Sequence, residues 1–178
     1  MFIIDFLRNR AIKKRGSKVQ TGITAIKDIR TAVALIDVED TSFDECKNAI
    51  MAFFREFNIK GEIFFFDFRK INETERLITS ITNTVLKKDL NLYGKPSKEK
   101  MDLIMAAAPD LFISLVNKDD YPVRYMASCC EAKFKVGRKQ LPGDIFDLVV
   151  CDQDNPESGT TPEAGIFKSM RELMLKVK

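Results

Sequence analysis

Ala32-Val33-Ala34-Leu35-Ile36-Asp37 and, further along, Ile63-Phe64-Phe65-Phe66-Asp67 are two continuous apolar runs, each stopped by an aspartate. A strand with one wetted face alternates apolar and polar side chains, whereas a short run without alternation marks a strand covered on both faces, as in a parallel sheet flanked by helices. Between the runs, Thr41 or Ser42 offers an N-cap, and Phe43, Cys46, Ile50, Phe53, Phe54 and Phe57 recur at helical spacing up to Asn58, with Gly61 shortly beyond. Strand, amphipathic helix and strand make a βαβ unit, right-handed if the strands are parallel.

The alternation continues outward from this unit. Asn83 to Lys87 reads as a short strand, Leu92 to Ser97 as a turn and Lys98 to Ala108 as a helix. Leu111 to Val116 is a fourth strand. Pro122 then fits the first turn of a helix whose buried face is Val123, Met126, Ala127 and Cys130. Phe134 to Val136 is a fifth strand, Phe146 to Cys151 a sixth, and a last helix carries Ile166, Met170, Leu173 and Met174 from about Pro162 to Val177. Residues 152–162 contain no aliphatic side chain and read as a loop or lid. Upstream, Phe2 to Arg15 is a helix ended by Gly16, apolar on one arc for two turns (Phe2, Ile3, Ile4, Phe6, Leu7, Ala11) and basic beyond. The expected architecture is α/β: a three-layer Rossmann-like sandwich of about six mostly parallel strands in a single domain over 29–178, with an appended basic N-terminal helix and connector over 1–28.

Of the 178 residues, 29 are Lys or Arg, 26 are Asp or Glu and none is His. The missing histidine excludes Ser-His-Asp triads, Cys-His dyads and His-ligated metals within the chain. Cys46, Cys129, Cys130 and Cys151 include no C-x-x-C pair, so neither a zinc site nor a disulfide framework is expected, and Cys130 falls on its helix's apolar stripe. The basic excess is local. Arg8, Arg10, Lys13, Lys14, Arg15 and Lys18 face only Asp5 in the first twenty residues, and the remainder is slightly acidic, which argues against a nucleic-acid surface over the body. The first residues lack the order of a secretory signal, and no apolar run approaches a membrane span, so a reduced, cytoplasmic protein is expected.

Lys87-Lys88-Asp89-Leu90-Asn91-Leu92-Tyr93-Gly94-Lys95-Pro96, Pro109-Asp110-Leu111-Phe112-Ile113-Ser114-Leu115, Ala132-Lys133-Phe134-Lys135-Val136-Gly137-Arg138 and Phe146-Asp147-Leu148-Val149-Val150, in this order, resemble a family of small bacterial proteins with no assigned function, over about residues 29–152. The resemblance implies a Rossmann-like fold and a cytoplasmic setting, and no activity. Where that family often carries an acid, this chain has Ser114. The succession Leu111–Val116, Val123–Glu131 and Phe134–Arg138 is also distantly similar to the first half of heptosyltransferase-like glycosyltransferases, a likeness of architecture only.

In an open parallel sheet ligands gather beyond the carboxyl ends of the strands. That rule selects Asp37, Asp67, Asn117, Lys118, Asp119, Arg138 and Asp152 as candidate ligand-binding residues, with Arg138 suited to clamp a carboxylate or phosphate. Tyr93-Gly94-Lys95-Pro96-Ser97-Lys98 has anion-site ingredients, yet neither G-x-x-x-x-G-K-[ST] nor G-x-G-x-x-G occurs, so ATP or NAD use is not expected and no cofactor or metal is assigned. Phe2, Ile3, Phe6, Leu7, Arg8, Lys13, Lys14 and Arg15 form a candidate contact for an acidic protein partner, a second copy, RNA or a membrane surface. Three readings follow in order: a non-enzymatic binding or scaffold domain, an enzyme or binder of a small phosphorylated or carboxylated metabolite, and a peripheral membrane protein held by the N-terminal helix.

Overall fold

The computed structural model of the chain describes residues 2–70, 82–152 and 161–178, and of Phe2 the backbone alone. The elements are α1 (Phe2–Arg15), β1 (Thr31–Asp37), α2 (Phe43–Glu56), β2 (Lys60–Asp67), β3 (Thr84–Leu86), α3 (Lys98–Ala106), β4 (Leu111–Ser114), α4 (Tyr121–Cys129), β5 (Phe134–Gly137), β6 (Leu148–Val149) and α5 (Glu163–Met174). The strands form one sheet in the order β3-β2-β1-β4-β5-β6, every neighbouring pair parallel. The chain grows one way from β1 to β3 and then the other way from β4 to β6. This is the doubly wound order, with its switch point between β1 and β4.

The unbroken apolar runs are explained by what covers each face. Ala32, Ala34 and Ile36 of β1, Ile63 and Phe65 of β2, and Leu111 and Ile113 of β4 pack under α2 and α5. Val33, Leu35, Phe64, Phe66 and Phe112 point to the opposite side, under α3 and α4. Alternate residues thus serve two cores, and a strand buried twice has no polar position to alternate with. β5 departs from this rule. Lys135 lies buried on the α4 side, where desolvation lowers its pKa and its ammonium donates to the Ala127 carbonyl at 2.9 Å.

Two glycines let side chains lie flat against strands. A Cβ at Gly61 would come within 2.2 Å of the Phe54 ring, and one at Gly137 within 2.4 Å of the Phe146 ring. α3 stops at Ala106, two residues before the expected Ala108, because Pro109 disfavours helical backbone in the residue before it. The sixth strand pairs only at Leu148–Val149, shorter than expected, because its partner β5 ends at Gly137.

α1 has the expected bounds. It crosses the outside of α4, and only Ala11 and Ile12 of its apolar side chains reach the core. Polar contacts hold the rest: Arg8 donates to the Tyr93 carbonyl at 2.8 Å and lies over the Tyr121 ring, Arg124 donates to Asn9 Oδ1 at 2.6 Å, and the Ser17 N–H donates to the Ser128 carbonyl. The apolar arc of its first turns faces solvent. No helix among the described residues is long and apolar enough to cross a membrane. The expected loop or lid over 152–162 lies, from 153 to 160, outside the described residues, as does the side chain of Phe2.

Candidate functional site

At the switch point β1 and β4 send their next residues apart, Val38-Glu39-Asp40 toward α2 and Leu115-Val116-Asn117-Lys118 toward α4. Between them lies a cavity of about 250 Å³ lined by Asp37, Glu39, Asp40, Asn117, Lys118, Arg138 and Glu163. Its floor is built by a reciprocal staple between β1 and α5. The Asp37 N–H donates to Glu163 Oε1 at 2.9 Å, while the first two N–H groups of α5 are satisfied by the β1–α2 loop: Glu163 N to Asp40 Oδ1 at 3.2 Å and Ala164 N to Ser42 Oγ at 3.0 Å. Ser42 stands at the N-cap of α2 as its sequence position suggests, but its side chain does not cap that helix. Its hydroxyl donates to Asp40 Oδ1 at 2.7 Å and serves α5 instead.

Two charge clusters complete the walls. Arg138, directly after β5, is 2% exposed and holds Asp152 through Nε at 3.3 Å and Nη2 at 3.1 Å; it also donates to the Thr161 and Leu115 carbonyls and lies 3.6 Å from Asp40. Asn117 donates to the same Asp152 carboxylate at 3.0 Å. On the other side Lys118 bridges Asp37 at 2.6 Å and Glu39 at 3.3 Å. Burial lowers the pKa of Lys118, but the hydrogen bonds and charges of Asp37 and Glu39 outweigh it and hold the ammonium above its usual value. Burial likewise raises that of Asp40, yet the hydrogen bonds from Ser42 and the Glu163 N–H, together with Arg138, keep its carboxyl below the usual range.

Glu163 differs from all of these. Its side chain is 1% exposed, Oε1 is used by the Asp37 N–H, and Oε2 has no hydrogen-bond partner among the described residues. Burial pushes its pKa up to about 8; the Asp37 N–H and Arg138 oppose this, and the charges of Asp40 and Asp37 add to it. At pH 7 the carboxyl therefore favours its neutral form. A helix N-terminus normally favours an ionised carboxylate, but here desolvation is the larger effect.

The structure brings together Asp37, Asn117, Lys118, Arg138 and Asp152 of the expected set. It places two elsewhere. Asp67 forms a two-pronged pair with Arg69 at 2.9 and 3.0 Å and does not line the cavity, and Asp119 lines a separate cavity with Asp5, Arg8, Asn9, Tyr121 and Arg124. Sequence reading missed Glu39, Asp40 and Glu163. The first two follow β1 directly and were open to the strand-end rule, whereas Glu163 reaches the site only because α5 packs beside α2. Among the described residues no group of His, Cys, Asp or Glu is arranged to hold a metal ion. Cys46, Cys129 and Cys130 are buried and unpaired, and burial pushes the Cys130 thiol up to about 12, the state of packing residues and not of nucleophiles.

No curated protein matches the chain, and no solved structure does. The model of a family of unknown function, DUF6913, matches residues 3–163, which run from α1 through the whole sheet to the carboxyl on the cavity floor. The chain belongs to that family of unknown function, DUF6913.

Proposed function

We propose that this protein is a non-enzymatic binding domain for a small polar molecule, seated in the crevice where β1 and β4 part, and that the Glu163 carboxyl is the contact that recognises it. One observation carries the reading: Glu163 Oε2 is buried at the cavity and has no hydrogen-bond partner among the described residues. A buried polar atom left unsatisfied costs about 1–3 kcal/mol, and a ligand atom that hydrogen-bonds to it recovers that energy. Its position at the switch point agrees with where ligands bind in doubly wound sheets.

The charges favour an uncharged, hydroxyl-bearing ligand or an amine. Asp37, Glu39 and Asp40 outnumber Lys118 and Arg138 around the cavity, and Asp152 occupies the guanidinium face that a phosphate or carboxylate would need. An anionic metabolite would first have to displace Asp152 from a buried fork.

The test is thermal unfolding against a panel of polyols, sugars, nucleosides, amines and their phosphorylated counterparts. A ligand at about 100 times its Kd adds roughly 2.7 kcal/mol to stability, which for a chain of this size is a rise of about 5–10 °C. The expected result is a shift from an uncharged or cationic compound that disappears in Glu163→Leu. A shift confined to phosphorylated compounds and dependent on Arg138 would overturn the assignment of ligand class. The raised Glu163 pKa also favours a second reading, an enzyme with Glu163 as general acid. Glu163→Gln separates the two: an isosteric neutral donor retains binding under either reading, and only under the second does a turned-over compound accumulate unchanged.

A further inference from the structure

On α1 the side chains that touch the body of the protein, Arg8, Asn9, Ala11, Ile12 and Arg15, fall on one side of the helix, and Asp5 also turns there, toward the cavity it shares with Asp119 and Arg124. At 100° per residue the opposite side carries Ile3, Phe6, Leu7, Arg10, Lys13 and Lys14. All six are exposed, Ile3 at 77%, Phe6 at 64% and Leu7 at 38%. This outward stripe is thus apolar over the first two turns, basic over the next two, and free of acid.

We propose that the outward stripe of α1 docks on an anionic lipid bilayer, Ile3, Phe6 and Leu7 entering the acyl boundary and Arg10, Lys13 and Lys14 lying at the phosphates. A bilayer surface supplies hydrocarbon and negative charge side by side, which is the combination the stripe presents. A second copy of the chain fits poorly. Antiparallel pairing of two such stripes sets three cations against the partner's Ile3, Phe6 and Leu7, and parallel pairing sets cation on cation, because the one acid of the helix, Asp5, lies off the stripe, 3.7 Å from Arg8. The contact leaves the β1–β4 crevice untouched, so this inference stands or falls apart from the ligand reading.

The experiment is vesicle flotation of the full chain on phosphatidylcholine alone and on phosphatidylcholine mixed with phosphatidylglycerol. The chain is expected to float with the mixed vesicles only, and less so as salt is raised, since exposed charges are screened. Each cation near an anionic surface contributes about a fivefold gain in partition, so Arg10→Glu/Lys13→Glu/Lys14→Glu is expected to lower it at least about a hundredfold. Ile3→Ser/Phe6→Ser is expected to lower it about tenfold or more through lost apolar burial. Both variants change only exposed side chains, and an unchanged thermal transition verifies their fold. The proposal is overturned by absence of flotation on mixed vesicles, by equal flotation on the two compositions, or by either variant floating like the parent. It is also overturned if light scattering shows a dimer that Ile3→Ser/Phe6→Ser dissociates, which would give the stripe to a second copy.

Discussion

At Glu163 the direction of the pKa shift fixes a pH dependence. The folded state holds the proton up to about pH 8, whereas the unfolded chain releases it near the ordinary value of 4.5. A raised folded pKa gives stability that is complete below the unfolded value and is lost as pH rises toward the folded one. Urea unfolding is therefore expected to show stability falling between about pH 4.5 and pH 8, by about 4 kcal/mol, with Glu163→Gln removing that slope. Parallel profiles for parent and variant would count against the buried neutral acid. At Arg138 the expectation concerns geometry. Removing one partner of a buried, hydrogen-bonded pair costs about 3–5 kcal/mol, so Arg138→Met should lower the urea midpoint by that equivalent. Arg138→Lys should recover only part of it, because an ammonium cannot reproduce the fork that holds Asp152 while reaching the Leu115 and Thr161 carbonyls.

The elements are joined at the other end of the sheet by one side chain. Asp110, just before β4, accepts from the Arg30 and Thr31 N–H groups at 2.9 and 3.1 Å and from Lys133 Nζ at 2.7 Å, tying the starts of β1, β4 and β5. Burial opposes its charge, but these donors prevail and lower its carboxyl to about 2. A depressed folded pKa gives stability that is present above the unfolded value and is lost as pH falls toward the folded one. Asp110→Asn should therefore cost about 1–2 kcal/mol at neutral pH and flatten the acid limb of the unfolding profile below about pH 4. Packing between elements is tested at Gly137. Alanine there would press on the Phe146 ring, and a loss of about 1–3 kcal/mol is expected by chemical denaturation. The ends of the elements were the least legible part of the sequence, because pairing across the sheet decided them: β4 stops at Ser114 although Leu115 and Val116 continue the apolar run.

For the whole molecule, the sheet and its two helical layers bury their own cores, and α1 adds only Ala11 and Ile12 to one of them. A chain beginning at Thr21 is expected to unfold in a single cooperative transition with its melting temperature lowered by a few degrees, about 2–4 °C per kcal/mol lost. Loss of cooperativity would mean that α1 is part of the domain and not an appendage to it. The doubly wound order also explains how the cavity arises. Two strands adjacent in the sheet but far apart in sequence send their loops in opposite directions, and the gap between the loops is a property of the topology.

The sequence by itself determined that this chain is a helix-covered parallel sheet, since unbroken runs such as Ala32–Ile36 and Ile63–Phe66 can be buried only when both faces are covered. It also determined that Asp37, Asn117, Lys118, Arg138 and Asp152 stand at strand ends, because strand ends are local. Tertiary structure alone decided which of these converge, that Asp67 turns to Arg69, that Asp152 fills the face of Arg138, and that Glu163 arrives from α5 with its carboxyl buried and its pKa raised. Those outcomes depend on the order of the strands, on the packing of α5 beside α2, and on the desolvation that this packing imposes. Burial and long-range electrostatics come into being only when distant segments meet, and no local pattern of residues encodes them.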